Sequence, residues 1–229
     1  MADRLENDSC EPRERKVREF AHAYFAALRA ADSAAAESVI RDALDVNLSP
    51  GQIQEEVIAP ALWLIGELWS RGEISVADEH AATEISLRVL ALQREAQRVA
   101  RARSSHRVML ATPPGEQHVV ALRMVDSLLL AAGYEVTMLG ADVPADALGG
   151  WARRHRPDVI CLSATIPGRT KQVLSCIDEV QSQRPTVGVV LGGRGITVEG
   201  KLRPAVDVCS RVSEVVEAVD AIVKRARSN

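Results

Sequence analysis

No run of about 18 apolar residues occurs in the chain, so nothing in it has the length of a membrane-spanning helix. The opening residues, MADRLENDSC, are polar and unlike a secretion signal. There is no long basic run, and the formal net charge is −3, which argues against a nucleic-acid-binding surface spread over the protein. The four cysteines, Cys10, Cys161, Cys176 and Cys209, have neither metal-ligand nor disulfide-framework spacing. Most lie in apolar segments, the pattern of a reduced, cytoplasmic protein. G-x-G-x-x-G is absent, which leaves a dinucleotide site without support. No acidic cluster stands at the predicted strand ends, as a phosphorylated response module would need.

What is present is enough apolar residue (47%) to pack a core, and 229 residues, a length comfortable for two small domains. Composition changes near residue 105. Before it the chain is rich in Ala, Leu, Glu and Arg and carries helical periodicity. The predicted helices run from Arg13 to Ala30, Ser33 to Asn47, Gly51 to Arg71 and Val76 to Ala100. In the third, Val57, Ile58, Ala61, Leu62, Ile65, Leu68 and Trp69 recur at i, i+3, i+4 spacing as one apolar stripe. Pro60 is expected to kink it. Gly72 lies just beyond its end, and Ser75 with Asp78 forms a capping box for the next helix. Short connections make such helices antiparallel neighbours, so a four-helix bundle is expected.

After residue 105, β-branched runs at 108–111, 134–139, 158–163, 187–192 and 206–209 alternate with helical segments at about 117–132, 145–155, 169–183 and 212–226, with a weak helix before the last strand. This predicts a flavodoxin-like domain with a five-stranded parallel sheet covered on both faces. The expected layout is therefore a tail over 1–12, a helical bundle over 13–104 and an α/β domain over 105–229, joined through the basic segment RVARARSSH. Parallel sheets of this kind bind ligands at the carboxyl ends of their strands.

Three loops stand at those ends. The first, Ala111 to His118, holds two prolines and a glycine and ends on a histidine; Glu116 is two residues earlier. A neutral imidazole ligates transition metals, and a carboxylate on its other nitrogen orients it and raises its basicity. By itself the loop is better explained as a histidine bonded to solvent. The second loop begins Ser163-Ala164-Thr165 and the third is Gly192-Gly193-Arg194-Gly195, where small residues let a ligand approach the backbone.

Together these loops resemble the cobalamin-binding domain of corrinoid enzymes, whose pattern is D-x-H-x-x-G, then S-x-L or S-x-T, then G-G. Here the positions read Glu116-x-His118-x-x-Ala121, Ser163-x-Thr165 and Gly192-Gly193. The resemblance implies that the dimethylbenzimidazole tail leaves cobalt and enters near Ser163 and Gly192, and that His118 becomes the lower axial ligand. Glu116, Gln117, Val119, Thr165 and Gly193 are then cofactor-lining residues. Glu116 is one methylene longer than the usual Asp, and Ala121 stands where the family has glycine.

In the helical half, Trp69 ends the third predicted helix and Glu79-His80 open the fourth. Taken singly, a tryptophan at this spacing fits a core position, and an acidic helix start fits the helix dipole. Ahead of a cobalamin domain, however, Trp-x9-Glu-His is similar to the light-sensing B12 regulators of the CarH and LitR type. That resemblance implies an upper pocket of Trp69, Val76, Glu79 and His80 over the adenosyl group of adenosylcobalamin. Ser70 replaces the histidine that follows the tryptophan in those regulators. The bundle begins within a dozen residues of Met1, so the expectation is a stand-alone module without a DNA-binding domain, as in photocobilins. By that resemblance its alanine-rich first helices are expected to leave room for biliverdin or another bilin, although alanine is also simply a good helix former.

The expected function is a non-enzymatic photoreceptor that signals through an effector or regulator protein or through homo-oligomerisation, with no direct nucleic-acid or membrane partner. The alternative is a methyl-carrying corrinoid protein of a methyltransferase system. Against it stand Glu116, Ala121-Leu122-Arg123 where Gly-Lys-Asn usually follows, and Trp69 as an obstruction to methyl transfer.

Overall fold

The computed structural model describes residues 12–98, 105–196 and 206–227. Cys10 and nearly all of the expected tail, most of the joining segment and the expected weak helix before the last strand lie outside them. The chain forms two compact units that divide between Val89 and Leu90. The division falls inside a helix, ahead of the basic segment where composition changes.

The first unit is built from α1 (Pro12–Arg29), α2 (Ser33–Asp45), a composite third segment and α5 (Val76–Arg98), whose last turns belong to the second unit. Asp32 caps α2 by accepting from the Ala35 N–H at 2.9 Å. The composite segment opens with α3 (Pro50–Gln52) under a reciprocal Ser49–Gln52 capping box, widens into a π turn (Ile53–Ile58) and continues as α4 (Ala59–Ser70). Pro60 lacks an N–H and crowds the preceding turn. The helix absorbs this just ahead of the proline, where the Ala59 N–H reaches back to the Gln54 carbonyl.

Val57, Ile58, Ala61 and Ile65 are buried, as the stripe predicts, but Trp69 at its end is 48% exposed. Gly72, at φ +72°, closes α4: its own N–H bonds to Trp69 and that of Glu73 to Leu68, a pattern that requires the left-handed backbone. The expected Ser75–Asp78 box is present, with the Ser75 N–H donating to Asp78 at 2.8 Å and the Asp78 N–H to the Ser75 hydroxyl at 3.2 Å. Inside the unit, Tyr24 donates to the Ser86 hydroxyl at 3.1 Å. Burial pushes the Tyr24 phenol up to about 12, against the opposing pull of Ser86.

The second unit is a five-stranded parallel sheet of order β2-β1-β3-β4-β5: β1 (Arg107–Ala111), β2 (Glu135–Gly140), β3 (Val159–Ser163), β4 (Gly188–Gly192) and β5 (Val206–Cys209). All five predicted strands are found. Strands β1, β3 and β4 are continuous apolar runs because both faces are covered. On one face lie α7 (Ala145–His155) and α8 (Thr170–Gln183); on the other lie α6 (Val120–Ala131) and α9 (Val215–Arg227), the last opened by a 3-10 turn at Val212–Glu214. The order reverses at β1, so the loops after β1 and β3 diverge there and form a topological switch point.

Helix α6 begins about three residues later than the periodicity predicts. The Glu116 carboxylate takes the His118 N–H and keeps residues 116–119 out of the helix. The last turns of α5 are tied to α6 by Arg94 donating to the buried Asp126 at 2.5 Å. Among the described residues, no helix is long and apolar enough to cross a membrane.

Candidate cofactor site

The carboxyl ends of β1, β3 and β4 bring the three predicted loops together in one unit. Glu116 is at their centre and fully buried. Its Oε1 accepts the His118 N–H at 3.0 Å and faces the His118 Nδ1 at 2.5 Å. Its Oε2 accepts the Thr165 N–H at 2.7 Å and the Ile166 N–H at 2.9 Å. Burial, the largest influence, pushes the carboxyl pKa up. The hydrogen bonds from Ile166, His118 and Thr165 together outweigh it and leave the group below its usual range, so it is an anion.

An ionised acceptor at Nδ1 fixes the proton on that nitrogen and leaves the lone pair on Nε2. The His118 side chain is 52% exposed, so Nε2 can meet a metal. Among the described residues there is no group of three or more His, Cys, Asp or Glu arranged around a metal. A metal carried in a ring of its own nitrogens would need only one protein ligand, which His118 could supply.

The first loop is held by residues that the sequence did not single out. Asp142, at φ +55°, accepts from the Gly115 N–H at 2.6 Å and from Gln117 Nε2 at 3.2 Å. Its own N–H lies 2.9 Å from the Thr112 hydroxyl and 3.0 Å from the Glu116 carbonyl. Arg169 donates to the Gly115 carbonyl at 2.9 Å. Asp142 lies in the loop after β2, and no pattern in the sequence marks it. Gln117 is exposed and occupied with Asp142; Val119 is partly buried where α6 begins.

Ser163 and Gly192 are register partners on β3 and β4. With Cys161 and Val190 two residues before them in the core under α6 and α9, strand alternation turns both toward that face. The Ser163 hydroxyl is buried and, among the described residues, has no hydrogen-bond partner. A Cβ on Gly192 would meet only the Cys209 carbonyl, at 3.8 Å. A buried, unsatisfied hydroxyl beside a strand end without a side chain fits the entry of a polar ligand tail. If Ser163 serves such a ligand, Ser163→Ala leaves the protein without cobalamin as stable as before, or more stable by up to about 1 kcal/mol, while cobalamin affinity falls about fivefold. Thermal melts of unloaded protein and a cobalamin titration check this. Equal losses in both would make Ser163 purely structural.

The four upper-pocket candidates lie in the helical unit, at the end where α4 turns into α5. Trp69 and Val76 are half exposed, at 48% and 50%. His80 Nδ1 is 2.6 Å from Glu79 Oε2, and the Thr83 hydroxyl donates to Glu79 Oε1 at 3.0 Å, so Glu79 tethers His80 and is itself braced from the next turn. Trp69 is therefore not a core residue.

Comparison with known proteins shows the family. Residues 106–221 and residues 21–92 each match a family described as B12 binding domain. The chain is 34% identical over 148 residues to the HTH-type transcriptional repressor CarH of Myxococcus xanthus, a match covering 64% of this chain and 48% of the repressor. It thus spans less than half of that relative's length. It is 24% identical over 198 residues to the trimethylamine corrinoid protein of Methanosarcina barkeri, covering 84% of this chain and 88% of that one. The solved structure of the Methanosarcina barkeri monomethylamine corrinoid protein superposes with a TM-score of 0.69 at 17% identity, covering 91% and 99% of the two chains, and shares the fold of a helical region followed by the α/β domain. With the first of these family matches spanning just over half of its residues, the chain belongs to the B12-binding domain family.

Proposed function

We propose that this cobalamin-binding protein is a light sensor that uses adenosylcobalamin, with His118 as the lower cobalt ligand and Trp69, Val76, Glu79 and His80 as the residues around the upper group. The observation that carries the reading is a pairing on one chain. The buried Glu116 presents His118 with Nε2 open, and the helical unit exposes an indole and a valine beside a braced Glu-His pair. The relative CarH shares more sequence identity with the chain than the trimethylamine corrinoid protein does.

Adenosylcobalamin, when bound, supplies a cobalt–carbon bond that light breaks. The residues supply the rest. Glu116 holds His118 in one tautomer and orientation, Ser163 and Gly192 receive the ligand tail, and the Trp69 indole gives the adenine a flat apolar face. Glu79 has acceptor capacity for ribose hydroxyls. When these side chains lose their packing partner, a cavity is left that costs several kcal/mol unless the helices close on it. That is enough to shift a two-state equilibrium. The signal then passes through a partner protein or self-association, and the protein works in the cytoplasm with its buried thiols Cys161, Cys176 and Cys209 reduced.

The runner-up is a methyl-carrying corrinoid protein, favoured by the match over 88% of the trimethylamine corrinoid protein. Absorption spectra of the adenosylcobalamin-loaded protein, taken before and after illumination alongside size-exclusion runs, separate the readings. A corrin spectrum and an elution volume that both change with light are expected. A long-wavelength band in addition would reveal a bilin. A photolysed protein with unchanged elution and equal affinity for methylcobalamin would overturn the sensor in favour of the carrier.

A further inference from the structure

The anion that orients His118 is held by two backbone amides, and those amides are backed by a glycine three positions into the loop after β4. Thr165 and Ile166 donate to Glu116 Oε2. Behind them runs the turn Gly193–Ile196, tied on by the Gly195 N–H donating to the Ala164 carbonyl at 2.9 Å and closed by the Ile196 N–H donating to the Gly193 carbonyl at 3.1 Å. A Cβ placed on Gly195 would lie 2.3 Å from the Ile166 carbonyl oxygen, 2.5 Å from its carbon and 2.9 Å from the Thr165 carbonyl carbon. All three are backbone atoms, so no side-chain rotation relieves the overlap. The Thr165 carbonyl carbon belongs to the peptide whose N–H donates to Glu116.

We propose that Gly195 is a positioning residue for the lower cobalt ligand. It lets the β4 loop press on the Thr165–Ile166 peptides and so sets where Glu116, and through it His118, comes to rest. This rests on His118 being the lower ligand. The relay has three links: Gly195 against the 165–166 peptides, those amides on Glu116, and Glu116 on His118 Nδ1. A side chain at 195 displaces the first link, and the carboxylate must then follow the amides or lose them. The Glu116 side chain has no exposure through which water could replace them. Loss of a partner that orients a metal-bound imidazole lowers affinity by roughly ten- to a hundredfold.

The test uses the full chain loaded with cob(II)alamin, wild type against Gly195→Ala, Glu116→Gln and the double variant, with folding checked by circular dichroism. A nitrogen ligand splits the cobalt(II) paramagnetic resonance lines, and labelling histidine with nitrogen-15 changes the splitting from triplet to doublet. The wild type is expected to show the labelled splitting. Gly195→Ala is expected to bind about tenfold more weakly, with much of the labelled splitting gone, and to add little on a Glu116→Gln background because both break one relay. If Gly195→Ala does not fold, Ile196→Ala loosens the same turn without overlap, and a smaller loss of the same signature is expected.

A wild type without labelled splitting would overturn the ligand assignment and this proposal with it. A wild type with the splitting and a Gly195 variant equal to it in affinity and splitting would overturn the proposal alone. So would full additivity with Glu116→Gln.

Discussion

His118→Ala is expected to abolish the histidine-ligated cobalamin spectrum and to weaken cobalamin binding by about a hundredfold or more. His118 is the one residue in the three loops whose free nitrogen is both exposed and oriented, with Nδ1 committed to Glu116. Its removal takes away the proposed cobalt ligand and also strands the buried Glu116 anion with an acceptor site unfilled. Glu116→Gln should cost less, about tenfold to a hundredfold, because the amide keeps one acceptor oxygen and the imidazole remains. Two of the donors to Glu116 are backbone N–H groups of Thr165 and Ile166, which an amide nitrogen cannot accept, so part of the cost is local rearrangement of that loop. Cobalamin titrations followed by absorbance give both numbers. An unchanged spectrum and affinity in His118→Ala would show that the loop is not the lower-ligand site.

Trp69→Ala is expected to erase most of a preference for adenosylcobalamin over methylcobalamin, lowering affinity for the former about tenfold to a hundredfold and leaving the latter nearly unchanged. Stacking of a base on an aromatic ring is worth about 1–3 kcal/mol by alanine substitution, and that contribution is available only to the cofactor that carries adenine. The half-exposed indole at the end of α4 is not part of the core, so its truncation should leave the unfolding transition close to wild type. Parallel titrations with the two cofactors are the measurement. Equal losses for both would make Trp69 a general contact, and no loss for either would remove it from the site.

The elements of the fold were legible in the sequence because their signals are local. Short apolar β-branched runs such as Val159–Ser163, bounded by turn residues, have the pattern of strands buried on both faces, and all five strands appear within a residue or two of their predicted bounds. The start of α5 was legible from Ser75 and Asp78, and the end of α4 from Gly72, because caps are written in the residues that make them. Glu116 and His118 could be paired on paper since they are two residues apart. Trp69 shows where periodicity misleads. It continues the i, i+3, i+4 stripe of Val57, Ile58, Ala61 and Ile65, yet the core ends before it does.

Composition and spacing by themselves determined that this chain is a helical unit followed by a parallel α/β unit, and pointed to the loops at the ends of β1, β3 and β4 as the place to expect a ligand. What only the tertiary structure decided is how the candidate ligand is held. The donors to Glu116 Oε2 are main-chain N–H groups about fifty residues away, and every non-proline residue carries an N–H, so no side-chain type announces them. Asp142 braces the first loop from the loop after β2, and Gly195 matters because of the peptide behind it. Such roles are set by distances between loops that the sheet register fixes. The glycine or aspartate that fills one looks in the sequence like any other turn residue.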